Sequence, residues 1–154
     1  MTAVNYTTRI NIPHQQAWQL LQDLSVPHHY VPGVTRTEIT TENKNGIGAS
    51  RLVFLLGILP LSETVSAWQQ GSGFTIKLGL KNSDLPFPMK QAFFHYKIEP
   101  SANSTVVSNS LEFQFSWRWL DNTIGIISKP IVKMILWKIT TNMGRYYEND
   151  QNVV

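Results

Sequence analysis

The chain has 154 residues, 42% of them hydrophobic and 15% charged, with a formal charge of +3. That length and balance fit one folded domain with a substantial core and exclude a disordered polyelectrolyte. No cysteine is present, so disulfides, thiolate nucleophiles and Cys-based metal centres are excluded.

Met1 to Asn5 has neither a basic nor an apolar leader, so a soluble, cytoplasmic chain is expected. Tyr6 to Ile12 predicts the first strand. Pro13 suits the opening turn of a helix, and Ala17, Trp18, Leu20, Leu21 and Leu24 give the stretch from Ile12 to Asp23 one apolar side. Pro27 and Pro32 bracket a short irregular or helical segment holding His28, His29 and Tyr30. Val34 to Thr41 predicts a strand, and Asn45-Gly46 a hairpin turn into the next, Ala49 to Leu56. The apolar run Leu52–Leu61 contains Gly57 and Pro60 and falls short of the roughly 20 residues of a membrane span.

Leu61 to Gln69 predicts a further strand, ended by Gly71-Ser72-Gly73. Phe74, Ile76, Leu78 and Leu80 then alternate with Thr75, Lys77, Gly79 and Lys81. Leu85 to Pro88 predicts a loop. Ala92, Phe94, Tyr96 and Ile98 alternate with Phe93, His95, Lys97 and Glu99. After a turn at Pro100 to Ser104 comes the clearest alternation. Leu111, Phe113, Phe115, Trp117 and Trp119 share one face, and Glu112, Gln114, Ser116 and Arg118 the other. Strict period two predicts one dry and one wet face.

The chain closes with an apolar helix from about Ile131 to Tyr147. At 100° per residue, Val132, Leu136, Ile139, Met143 and Tyr146 form one stripe, with Ile127, Ile131, Met134 and Ile135 beside it. Lys129, Lys133, Thr140 and Gly144 fall opposite as a polar stripe. So broad an apolar surface predicts cover on more than one side.

Ile-Pro-x-x-x-x-Trp (Ile12 to Trp18), Asp23, Val31-Pro32-Gly33-Val34, Gly46-Ile47-Gly48-Ala49-x-Arg51 and Glu63-Thr64-Val65 occur in that order. This series resembles the polyketide-cyclase/dehydrase-like branch of the START-like (helix-grip) superfamily, over about Val4 to Tyr147. The resemblance implies an α+β fold. A curved seven-stranded antiparallel sheet would wrap a long C-terminal helix, with two short helices after the first strand and an apolar cavity between sheet and helix. It does not name the cavity's contents, since the superfamily hosts carriers, receptors and enzymes.

Under that resemblance Tyr30, Trp68, Tyr96, Phe113, Phe115 and Trp117 are candidate wall residues. Ile131 and Ile135 would look into the cavity from the helix. Lys138, Asn142 and Arg145 fall near that stripe; there they would offer an anionic or carbonyl-bearing ligand a positive end, or else emerge into solvent. Arg51 and Glu63 are a cross-strand ion pair or a polar fixture of the cavity. The choice depends on whether the intervening turn takes three or four residues of Gly57 to Pro60. His28-His29 reads as a surface pair, because adjacent side chains diverge and no further ligand pattern accompanies them. No motif calls for a cofactor or metal, and no basic stripe marks a nucleic-acid site.

Three functions follow as expectations. The first is binding of a hydrophobic small molecule: a lipid, isoprenoid, polyketide or aromatic metabolite. The second is a cyclase or dehydratase using the same cavity, with Tyr30, Tyr96, Arg51 and Lys138 as first acid–base or polar candidates. The third is a protein-interaction module. No close acid–base pair is visible, which favours the first.

Overall fold

A computed structural model describes residues 1–80, 85 and 88–151, the last two as backbone only. Its elements are β1 (Thr2–Ile10), α1 (His14–Leu21), a 3-10 turn (Pro27–His29), β2 (Val34–Ile39), β3 (Ser50–Leu55), β4 (Leu59–Gln69), β5 (Gly73–Leu80), β6 (Met89–Ser101), β7 (Ser104–Phe115) and α2 (Arg118–Gln151). The strands form one seven-stranded sheet in the order β1-β7-β6-β5-β4-β3-β2, antiparallel throughout. This is the expected helix-grip arrangement. Lys81, expected on the polar side of β5, and Pro86 and Phe87, expected in a loop, lie outside the described residues.

The period-two pattern governs the sheet as expected. Phe74 and Ile76 on β5, Tyr96 and Ile98 on β6, and Val107 on β7 are buried on the inner face. They meet Trp18 and Leu21 of α1 and Ile139, Met143 and Tyr147 of α2 in one cluster. On β4 a bulge between Val65 and Ala67 breaks the register. The extra residue bends the strand. Val65 is buried, and Trp68 also packs inward, edge-on against Trp18 at 5.3 Å. The β3–β4 turn is Leu56–Ile58, with positive φ at Leu56 and Gly57, so Leu55 pairs with Leu59. Arg51 therefore stands directly opposite Glu63.

Three expectations at the C-terminus are corrected. The alternation after Leu111 ends at Phe115, and Trp117 and Trp119 do not continue the strand. The Trp117 carbonyl instead accepts the N–H groups of Leu120 and Asp121, while the Asp121 carboxylate accepts the Phe115 N–H at 3.0 Å. Backbone groups that a strand would pair sideways are thus turned into a helix start. The helix begins at Arg118, well before Ile131, and runs through Pro130. Pro130 costs one backbone hydrogen bond without ending the helix.

Of the expected polar stripe, Lys129 and Lys133 are exposed, but Thr140 and Gly144 are not on an outer face. Both are buried against the sheet. Thr140 accepts a hydrogen bond from buried Asn109 of β7 at 3.0 Å, and a Cβ on Gly144 would come within 2.8 Å of Ile10 Cγ2. Small size and a matched polar partner bring this face close to β1 and β7. Hydropathy alone ranks it as solvent-facing.

Candidate functional site

Two features occupy the space between sheet and helices. The first is a buried polar cluster. Arg51 is only 2% exposed. Its Nε donates to Glu63 Oε2 at 2.6 Å and its Nη1 to the Leu24 carbonyl, at the end of the α1 region, at 2.8 Å. Burial works against the guanidinium charge, and the Glu63 carboxylate more than restores it, so the Arg51 pKa is raised. Tyr30, Tyr96 and Tyr147 are buried around this pair. Burial pushes Tyr96 up to about 12, with the Arg51 charge opposing. Burial also holds the Tyr30 and Tyr147 phenols well above their ordinary range. Tyr30 stands edge-on to Tyr147 at 6.2 Å between ring centroids, and the Tyr147 hydroxyl has no partner in hydrogen-bond geometry among the described residues. All three phenols are neutral near pH 7. They can donate hydrogen bonds but are poor bases.

The second feature is an apolar cavity of about 270 Å³ between the inner face of β5–β7 and the N-terminal half of α2. It is lined by Leu78, Leu85, Met89, Ala92, Leu111, Phe113, Phe115, Ser128 and Val132. Among the described lining residues Ser128 alone carries a side-chain oxygen or nitrogen, and its hydroxyl donates to the Gly125 carbonyl within the helix. These residues therefore offer a ligand no free charge. Phe113 and Phe115 meet edge to face at 6.0 Å. Cavity and polar cluster are neighbours. Glu63 pairs across the sheet with Leu78, and Phe94 stands against Tyr96 at 4.5 Å between ring centroids. Leu78 and Phe94 thus stand between the apolar cavity and the buried polar cluster.

The expected site residues divide accordingly. Phe113 and Phe115 line the cavity. Tyr30, Arg51 and Tyr96 belong to the polar cluster behind it. Trp68 packs between Trp18 and Phe74, away from the cavity. Trp117 is outside, stacked on Trp119. Ile131, Ile135 and Lys138 lie on the outer, exposed face of α2 and do not reach the cavity. Lys138 and Arg145 share an outer groove with Pro32 and Trp137. The reason is rotational: α2 turns its Leu136/Thr140/Met143 side to the sheet, which puts Ile131 and Ile135 outward. The wall residues not singled out from the sequence are Leu78, Leu85, Met89, Ala92, Leu111, Ser128 and Val132. Leu78, Ala92, Leu111 and Val132 sit on apolar alternations or on the helix stripe already recognised, whereas Leu85, Met89 and Ser128 do not. That pattern marks the inner face but not the part of it left unfilled.

His28 accepts or donates a hydrogen bond with Thr37 Oγ1 at 3.1 Å, and His29 stacks on Tyr146. Burial, then the neighbouring His29, lowers the His28 pKa. Among the described residues no group of His, Asp or Glu is arranged to hold a metal ion.

A family model described as polyketide cyclase / dehydrase and lipid transport matches residues 1–140. The chain belongs to this family. No curated protein sequence matches the chain. Solved structures share the family member's fold at low identity. An uncharacterized protein from Bacillus thuringiensis superposes with a TM-score of 0.69 at 14% identity, covering 94% of this chain and 98% of that one. Norcoclaurine synthase from Thalictrum flavum, a point mutant in complex with a transition-state analogue, gives 0.65 at 13%, covering 97% and 95%. The di-domain ARO/CYC BexL, from the BE-7585A biosynthetic pathway, gives 0.70 at 9%; 92% of this chain matches 46% of that one. Among the described residues no helix is long and apolar enough to cross a membrane.

Proposed function

We propose that the protein binds a neutral hydrophobic small molecule, an isoprenoid, polyketide or aromatic metabolite, in the cavity between β5–β7 and α2. One observation carries this reading: a chamber between sheet and helix whose described lining residues present no free polar side chain. Its volume is just below the ~300–1,000 Å³ of common ligand sites. Apolar burial would drive binding at about 25 cal/mol per Å², less the cost of association. A carboxylate brought into this chamber would lose its water and meet no donor, so an acidic lipid is a poor fit.

A second reading, a cyclase or dehydratase, draws on the buried polar cluster. Tyr30 and Tyr96 would serve as hydrogen-bond donors to a substrate reaching past Leu78 and Phe94, with Arg51 holding the local charge. Membership of a family described as polyketide cyclase / dehydrase and lipid transport, and likeness to the ARO/CYC BexL, support this reading.

The test uses N-phenyl-1-naphthylamine, a neutral fluorophore, with farnesol and dodecanoic acid as competitors. Fluorophore emission is expected to rise on binding, and farnesol to displace the dye better than dodecanoic acid. Val132→Phe fills the chamber; it should weaken the dye about tenfold or more while keeping or raising the melting temperature. No emission change, or equal binding by a folded Val132→Phe variant, would overturn the reading. Recovery of a chemically altered ligand by mass spectrometry would establish the enzymatic reading instead.

A further inference from the structure

The same helix that closes the cavity carries an uncovered apolar face on its outside. Trp119, Ile124, Ile127, Ile131, Met134 and Trp137 are all exposed, Ile127 by 72%, Trp119 by 61% and Ile131 by 58%. At 100° per residue these positions spread over about 140° of the helix circumference. Isolated exposed apolar residues are ordinary, but a contiguous face of this breadth is not. No Asp or Glu lies between Asp121 and Glu148, whereas Lys129, Lys133, Lys138 and Arg145 all do. All four cations are exposed.

We propose that this face docks on the surface of a lipid bilayer containing anionic phospholipid, with α2 lying in the interfacial plane. Isoleucines and Met134 enter the acyl boundary. Lys138 and Arg145, which lie on this face beside Trp137, extend along their own stems to reach phosphate, while Lys129 and Lys133 border β1 on the other side of the helix. Trp119 and Trp137 stand about 27 Å apart along the axis, at about 1.5 Å per residue. They flank the isoleucines as indole rings flank apolar segments at membrane interfaces.

A second apolar group joins the face. Leu56 and Ile58 at the tip of the β3–β4 turn are exposed. The Leu56 N–H donates to the Gly33 carbonyl at 2.8 Å, and the adjacent Pro32 shares a groove with Trp137 and Lys138. Turn and helix thus border one another through residues 32 and 33.

Other occupants fit less well. A coiled-coil partner needs a narrow seam, and this face is too broad, with Pro130 in its middle. A second copy packed on this face would draw Lys138 and Arg145 of each chain into an apolar seam, with no acid on the face to pair them. An anionic bilayer satisfies both the apolar surface and the uniform charge. It also gives the cavity's position a use, since Ser128 and Val132 line the chamber from the other side of the same turns.

The test is flotation with phosphatidylcholine vesicles, with and without one-third phosphatidylglycerol, at low and high salt. The wild-type protein should float with the phosphatidylglycerol vesicles at low salt and much less with phosphatidylcholine alone. Its tryptophan emission should shift to the blue on binding. Ile127→Ser/Ile131→Ser/Met134→Ser should reduce partition about tenfold or more with an unchanged melting curve, because these side chains leave only exposed surface. Lys138→Gln/Arg145→Gln, whose side chains are exposed on this face, should weaken it about fivefold per cation and flatten the salt dependence. Val132→Phe should float like the wild type, which separates this proposal from the ligand reading. Failure of the wild type to float at low salt would overturn the proposal. So would equal binding to both vesicle types, or undiminished binding by both the serine and the glutamine variants. A dimer in sedimentation that fails to float, and that the serine variant dissolves, would assign the face to a second copy.

Discussion

At the scale of single residues, the Arg51–Glu63 pair shows how a short ion pair can be costly to break and still be a weak source of stability. Both charges were taken from water, and the 2.6 Å contact together with the Leu24 carbonyl restores what was lost. Glu63→Leu removes the counter-charge and leaves a buried guanidinium, so a loss of about 3–5 kcal/mol is expected. Arg51→Met combined with Glu63→Leu should lose clearly less, since no charge is then stranded. Urea unfolding of the three proteins decides this; equal losses for the single and double variants would mean that Arg51 regains water when Glu63 is absent.

The neighbouring phenols make a prediction about pH. Tyr96 titrates at about 12 in the fold and near 10 when unfolded. Between these values the unfolded chain has released its proton and the folded chain has not, so stability falls as pH rises. The contribution is whole below about pH 10 and lost through about pH 12, worth on the order of 2–3 kcal/mol for Tyr96 alone. Tyr30 and Tyr147 shift in the same direction. Three of the five tyrosines should therefore stay protonated until the protein unfolds. Their absorbance change near 295 nm should coincide with loss of the circular dichroism signal. Ionisation of all five before unfolding would contradict the burial of this cluster.

At the scale of elements, strands were legible in the sequence because each has one face in the core and one outside it. Phe74 to Lys77 and His95 to Ile98 are cases where two-residue alternation and burial agree. The helix was legible as apolar but not in its orientation. Hydropathy ranks Ile131 and Ile135 above Thr140 and Gly144, yet the sheet takes the latter pair because close approach requires small side chains. The start of α2 was hidden for another reason: Trp117 and Trp119 prolong a strand-like alternation, and only the Asp121 carboxylate reaching back to the Phe115 N–H marks the switch. This close approach is testable at Gly144. Alanine is worth about 1 kcal/mol more than glycine inside a helix. Here its Cβ would meet the Cγ2 of buried Ile10 at 2.8 Å, on a β-branched side chain with little room to turn. Gly144→Ala should therefore destabilise, by about 1–3 kcal/mol from overpacking less the helix gain. A rise in melting temperature would show that Ile10 yields freely.

At the scale of the whole molecule, the groove between sheet and helix is filled at one end and open at the other. The filled end gathers Trp18, Phe74, Tyr96, Ile98, Met143 and Tyr147 into one cluster. The open end is bounded by Phe115, Leu111 and the first turns of α2, whose far side has no cover. The two ends should respond differently to loss of the same kind of group. Ile98→Ala empties space that neighbours already enclose, and should cost about 2–5 kcal/mol. Phe115→Ala would cost about 3–5 kcal/mol in solid core. At the cavity rim the ring is half-buried and faces a void on one side, so fewer contacts are lost and the cost should fall clearly below that range. Ligand should reverse the ranking. With the chamber occupied, Phe115 gains the contacts it lacked, so a saturating neutral hydrophobe should raise the wild-type melting temperature and raise that of Phe115→Ala less. Ile98→Ala should gain as much from ligand as the wild type, because its site is remote from the chamber. Paired thermal melts with and without farnesol measure all four quantities. If Phe115→Ala costs as much as a core truncation and ligand stabilises both variants alike, the open end is closed in solution and the chamber does not serve as the binding site.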